Sequence, residues 1–181
     1  KEMVKECAPV FLNCLPLGTY GDNGAGIRLG VSAGGVTAHM DKMSAWRFYV
    51  PPEAMMQGVL VDKKARRICS EDLYGAKQGD YIAAGGGDAY LIFDSKTYKE
   101  SVSKIGEQCA WFQKLTMIPM LRLTRKKAKT LQKLAVKIKV APEALVQTMS
   151  QYNAIASKQE PDPLGKTEKR FVPQDTPPFY A

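Results

Sequence analysis

Histidine is almost missing from this chain. His39 is the only one, and the four cysteines, Cys7, Cys14, Cys69 and Cys109, show no CxxC spacing, which leaves too few imidazoles and thiolates for a zinc site. The cysteines read as reduced, mostly buried thiols of a cytoplasmic protein. Long apolar runs are also lacking. The longest near the start, "APVFLNCLPL", is interrupted by Asn13 and Pro16, and no stretch approaches the roughly 18 to 20 apolar residues that span a bilayer. There is no internal repeat and no low-complexity tract. The chain starts at Lys1 without a methionine and stops at an apolar Phe179-Tyr180-Ala181, which reads as a segment of a longer polypeptide.

What is present is ordinary for a folded domain. The 181 residues suffice for one sizeable core, and 45% hydrophobic with 24% charged residues is a globular composition. The net charge of +8 is concentrated: Arg122, Arg125, Lys126, Lys127, Lys129, Lys133, Lys137 and Lys139 fall in one segment without an acid. Such a run is usually the solvated face of a helix. A basic module binding nucleic acid or another polyanion through Arg122 to Lys139 is the alternative reading, without an aromatic-interleaved nucleic-acid motif to accompany it.

Periodicity predicts a helix from Glu2 to about Leu12, ended by Pro16 and Gly18, and a second from about Asn23 to Gly34 behind a glycine-rich loop. "SAWRFYVPP" reads as a strand, "GVLVD" and "RRICSE" as a hairpin turning at "DKKA", and "DAYLIFD" as another strand. Helices are expected over Tyr74 to Ala84, over Ser101 to Gln113, and in "TLQKLAVKI", where Leu131, Leu134, Ala135 and Ile138 share a stripe. A last helix starts at "APEAL", with Pro142 at its first position and Leu145, Met149 and Tyr152 on its buried face. The fold class is therefore α+β: a small, mainly antiparallel sheet covered by helices, the C-terminal half mainly helical.

The segments "GDNGAGIRLGVSAGG", "SAWRFYVPP", "GVLVDKKARRICSEDLYGA", "DAYLIFD", "TLQKLAVKIKVAPEALVQTMSQYNA" and "PPFYA", in this order, resemble the flavoprotein family of fumarate reductases, succinate dehydrogenases and 3-ketosteroid dehydrogenases, the ketosteroid branch above all. The resemblance runs from about Leu17 to the end. It implies that residues 1–35 are the tail of a flavin-binding domain, 36–176 a substrate-binding cap domain, and 177–181 the start of the return to the flavin domain. The cofactor implied is FAD, whose main binding motif would lie upstream, and the implied partners are the flavin-binding domain of the same parent chain and a small apolar substrate.

The family's glycine-aspartate-glycine loop, which contacts FAD, falls on "GDNGAG", so Asp22, Gly24 and Gly26 are the cofactor-binding candidates. Counted from Gly34 without a gap, the aspartate position lands on Ala25, and a local insertion brings Asp22 into the role. Where the dicarboxylate enzymes carry a substrate-holding histidine this chain has Trp46, which with Tyr49 favours a flat apolar substrate over a dicarboxylate. "RRICSE" matches the family's "RRF-x-NE" segment through Arg67, Ile68 and Glu71, with Ser70 in place of asparagine.

The proton-transferring arginine of the dicarboxylate reductases is replaced by Leu73, Tyr74 and Gly75, and a tyrosine in that neighbourhood serves in proton transfer in ketosteroid dehydrogenases. Tyr74 is accordingly the catalytic candidate. Glu71 is counted with the substrate-binding residues, although holding the segment in shape is its stronger role. Desaturating a carbon–carbon bond beside a carbonyl needs a base for the acidic proton and an acceptor for the hydride, and flavin is such an acceptor. A phenol titrating near ~10 needs hydrogen bonds or positive charge to act as that base, and Arg47, Arg66 and Arg67 are the cations nearby in sequence.

Overall fold

The computed structural model of the chain describes residues 2–14, 16, 18–43 and 51–181. It divides into two units, Lys1–Ala45 and Trp46–Ala181. The strand expected at "SAWRFYVPP", and with it Trp46, Arg47 and Tyr49, lies outside the described residues apart from its closing prolines.

The first unit holds helix α1 (Glu2–Cys7), a single 3-10 turn at Pro9–Phe11, and helix α2 (Ala25–Ser32). Pro9 divides the expected first helix in two, because proline offers no amide hydrogen to continue the ladder. Gly24 precedes α2 in a left-handed conformation (φ +79°), which glycine adopts without a Cβ penalty. Among the described residues of this unit only Ala8 is buried, while Ile27, Leu29, Val31 and Val36 are exposed.

The second unit is an α+β domain. Strand β1 (Val59–Asp62) pairs antiparallel with β2 (Ala89–Ile92), Val59 opposite Ile92 and Asp62 opposite Ala89. The other edge of β1 receives one bridge, Val61 to Arg67, after a turn closed by Asp62 N to Arg66 O at 2.9 Å. The expected hairpin is thus present, with a second arm only one bridge long. All four residues of β1 are buried. Val59 and Val61 enter one core, and Leu60 enters another with Cys69 and Ile82. Alternation along a strand sends successive side chains to opposite faces, and here both faces are covered.

Between and after these strands come α3 (Gly75–Ala84), α4 (Ser95–Gln108), α5 (Trp111–Pro119) with a π turn over Met120–Thr124, α6 (Leu131–Ile138) and α7 (Pro142–Ser157). The single helix expected over Ser101–Gln113 is instead the end of α4 and the start of α5. Asp94 caps α4 by accepting Thr97 N at 2.9 Å, which moves its start back to Ser95. Cys109 and Ala110 are extended, with Cys109 buried, which ends α4. Helices α6 and α7 pack their predicted stripes together: Leu134, Ala135 and Ile138 meet Leu145, Met149 and Tyr152 over Val59, Val61 and Ile92.

A second small sheet pairs β3 (Lys127–Ala128) with β4 (Phe179–Tyr180). Its link to the first is a reciprocal bridge, Phe93 N to Tyr180 O at 3.0 Å and Tyr180 N to Phe93 O at 2.8 Å. Tyr98 and Tyr180 stack beside it with ring centroids 4.2 Å apart. The basic run is spread over the π turn, β3 and α6, where Lys133 and Lys137 are exposed and the apolar stripe of α6 faces inward.

Candidate active site

The segment from Arg66 to Gln78 is fixed to its surroundings at nearly every residue. Asp62 organises the turn before it, accepting the amides of Lys64 (2.8 Å) and Arg66 (2.9 Å) on one oxygen and the Arg66 guanidinium on the other. Arg67 then turns inward. Its guanidinium donates to Glu71 through Nε (2.9 Å) and Nη2 (2.7 Å), and to Asp162 through Nη1 and through Nη2 (2.9 Å), with its plane over the Tyr152 ring 5.0 Å from the centroid. This is the fork geometry that lets arginine serve two carboxylates at once.

Lys166 completes the cluster. Its ammonium donates to Gly58 O (2.7 Å), Gln57 O (3.1 Å) and Tyr152 Oη (3.1 Å), and pairs with Glu71 Oε2 at 3.0 Å. Glu71 also accepts the amide of Leu60 in β1 at 2.9 Å. Two acids and two bases are therefore buried together, and the charges balance. Burial acts on Lys166, Arg67, Asp162 and the neighbouring Tyr152. It pushes the Lys166 ammonium down to about 8, and it pushes Tyr152 up with the Glu71 charge adding to it. For Arg67 burial opposes the charge, yet the Glu71 and Asp162 carboxylates raise its titration overall. For Asp162 burial is overcome by Arg67, which holds the carboxyl below its ordinary value.

The next residues are pinned as well. Asp72 accepts the amide (3.0 Å) and hydroxyl (2.7 Å) of Thr167 on one oxygen and the Ser70 hydroxyl on the other. These hydrogen bonds keep its carboxyl low despite partial burial. Gln78, itself buried, donates its side-chain amide to Leu73 O at 2.6 Å and to Glu71 O at 3.1 Å. At the end of this held stretch Tyr74 occupies the position before the first turn of α3, 65% exposed.

The structure places the candidates unequally. Tyr74 is at the surface of the second unit. Glu71 lies beneath its segment and is fully buried, its carboxylate meeting Arg67, Lys166 and the amide of Leu60. Arg66 and Arg67 are engaged by Asp62, and by Glu71 and Asp162. In the first unit, Asp22 closes its own turn by accepting Thr19 N at 2.7 Å, a Cβ on Gly24 would meet Met3 Sδ at 2.8 Å, and a Cβ on Gly26 would meet nothing within 4 Å. The sequence reading missed Asp162, Lys166, Tyr152, Thr167 and Gln78 as parts of this arrangement. The one available signal was the turn in "PDPLGK", where Gly165 has φ +78° and its amide meets Asp162 O at 2.9 Å, presenting Asp162 and Lys166 on one side.

The 3-oxo-5-alpha-steroid 4-dehydrogenase of Comamonas testosteroni is 33% identical to this chain over 153 residues, which are 83% of this chain and 29% of that protein. The chain belongs to the fumarate reductase and succinate dehydrogenase flavoprotein family, on its ketosteroid dehydrogenase side. Among solved structures, the 3-ketosteroid-delta4-(5alpha)-dehydrogenase of Rhodococcus jostii RHA1, in complex with 4-androstene-3,17-dione, matches 99% of the chain and 35% of its own length, with TM-score 0.79 and 23% identity. A flavocytochrome c3 fumarate reductase in its open conformation matches 99% and 31%, with TM-score 0.65 and 21% identity. The fold of this family member is thus shared by steroid- and dicarboxylate-type flavoenzymes, and the chain spans about a third of their length or less. No family model matches the chain. No helix among the described residues is long and apolar enough to cross a membrane.

Proposed function

We propose that this chain is the substrate-binding region of an FAD-dependent oxidoreductase that introduces, or in reverse reduces, a carbon–carbon double bond beside a ketone, with a ketosteroid-like apolar substrate preferred over a dicarboxylate. The observation that carries this reading is the 33% identity to a steroid 4-dehydrogenase over 83% of the chain. The held segment ending in exposed Tyr74 supplies the chemistry. In the desaturating direction Tyr74 Oη takes the proton from the carbon next to the ketone, while the hydride leaves the adjacent carbon; in the reducing direction Tyr74 returns that proton. FAD, when bound, supplies the hydride acceptor.

Of the three residues expected to touch the flavin nucleotide, Gly26 fits best, because the space where its Cβ would lie is open to a ligand. Gly24 and Asp22 serve by shaping the loop before it, the first through its left-handed backbone and the second by closing the turn on Thr19. The main hold on the nucleotide falls to a flavin-binding domain of the same parent chain. We assign the exposed apolar face of α5, with Trp111, Phe112 and Leu115, to the contact with that domain, since 99% of this chain accounts for only 31 to 35% of the two related structures.

The intact protein is tested for FAD by its absorbance after acid release, and for turnover of the 5α-dihydro form of 4-androstene-3,17-dione with an artificial electron acceptor. Tyr74→Phe is expected to lower kcat by about 10²–10⁴-fold, the usual worth of a positioned acid–base group, at unchanged flavin content. A protein that can never be loaded with flavin, or a Tyr74→Phe variant working at the full rate, would sink the reading.

A further inference from the structure

Gln78 is a buried polar residue that the chemistry of desaturation does not itself require. Both hydrogens of its side-chain amide are used on carbonyls just ahead of Tyr74, Leu73 O at 2.6 Å and Glu71 O at 3.1 Å, while its main-chain amide takes Tyr74 O at 3.1 Å. The peptide groups on either side of Tyr74 are therefore both held by one residue. Leu73 O and Glu71 O precede the ladder of α3, which starts from Tyr74 O, so no helical amide reaches them. The turn that would otherwise steady them is weak, with Leu73 N to Ser70 O at 3.4 Å.

We propose that Gln78 is a positioning residue for Tyr74, fixing the 73–74 and 74–75 peptides so that the phenol stands in one place at the surface. The inference rests on the proton-transfer role given to Tyr74 above. A tyrosine hydroxyl sits at the far end of a long rigid side chain, so a small rotation of the 73–74 peptide is magnified at the oxygen. Misplacing a reacting group by about 1 Å can cost up to ~10²-fold in rate. The cluster of Glu71, Arg67, Asp162 and Lys166 anchors the segment from below, and Thr167 anchors Asp72 from the side. Gln78 is the member whose contacts bracket Tyr74 itself.

Four forms of the flavin-loaded intact protein test this: wild type, Gln78→Leu, Tyr74→Phe and the double variant, assayed with the 5α-dihydro form of 4-androstene-3,17-dione. Gln78→Leu is expected to lower kcat about tenfold to a hundredfold, with KM within about twofold and flavin content unchanged. In the Tyr74→Phe background the same change is expected to cost less than about twofold, since two residues acting through one group are not additive. An equal loss in both backgrounds, or no loss at all, overturns the inference. If Gln78→Leu fails to fold, Gln78→Glu keeps the shape while exchanging donor for acceptor and is read in the same way; loss of flavin in both variants also overturns it. A fully active Tyr74→Phe single variant identifies the failure as that of the proton-transfer role, and the positioning role falls with it.

Discussion

Replacing Arg67 by methionine probes how the segment leading to Tyr74 is held. In the native protein two carboxylates face two cations, and the side chains of Glu71, Asp162 and Lys166 are fully buried while that of Arg67 is 11% exposed. Methionine keeps an apolar stem against Tyr152 and Phe171 but leaves two buried carboxylates facing one ammonium. Breaking a buried ion pair by removing one partner costs ~3–5 kcal/mol, a large part of a net stability of ~5–15 kcal/mol. Urea unfolding followed by circular dichroism measures the loss. Its pH dependence carries the more specific test. In the variant one carboxylate gains a folded-state pKa above its unfolded value of ~4, so protonating it restores the charge balance and stability returns as pH falls through that raised value. The difference between variant and wild type should therefore be smaller near pH 5 than near pH 7. A loss below ~1 kcal/mol, or one that grows toward low pH, would refute the claim that charge balance holds this segment.

Lys166 and Cys69 give two further expectations. Burial lowers the Lys166 ammonium to about 8, whereas an unfolded lysine keeps its proton to ~10.4. Between those values the unfolded state binds more protons, so this group makes stability rise with pH; Lys166→Met should abolish that rise when urea midpoints near pH 7 and pH 9.5 are compared. Burial, with the Glu71 charge adding to it, pushes the Cys69 thiol up to about 11. An aromatic disulfide reagent at about pH 8 should thus label exposed Cys14 quickly and reach Cys69 only on unfolding. Rapid labelling of Cys69 in the folded protein would contradict this.

Elements with a strong period were legible in the sequence. The stripe Leu131, Leu134, Ala135 and Ile138 and the face Leu145, Met149 and Tyr152 pack where their spacing places them, because burial of one face is what gives such a helix its stability. Boundaries set by single hydrogen bonds were not legible. The start of α4 depends on Asp94, which also accepts Thr176 N at 3.0 Å from the far end of the chain, a contact that no local pattern announces. The support around Tyr74 was hidden for the same reason. Asp162 and Lys166 sit in a polar, proline-rich stretch with no apolar period, and charged residues there read as solvated until partners distant in sequence are known. Arg67 and Glu71 stood out through a motif, and the three-dimensional arrangement adds Asp162 and Lys166 as the partners they share.

The bridge between Phe93 and Tyr180 bears on the order in which this unit can be completed during synthesis. Helices α3 to α7 are built from nearby residues, and the β1–β2 pair closes over the α3 segment alone, so both can form as the chain emerges. Strand β4 supplies the partner for both β3 and Phe93, and it follows every other element of this unit in chain order. Until it arrives, the edge of β3 and the aromatic surface of Phe93 and Tyr98 stay uncovered. The nascent unit can therefore form its helices while one sheet edge is still open, and β4 is the element that closes it.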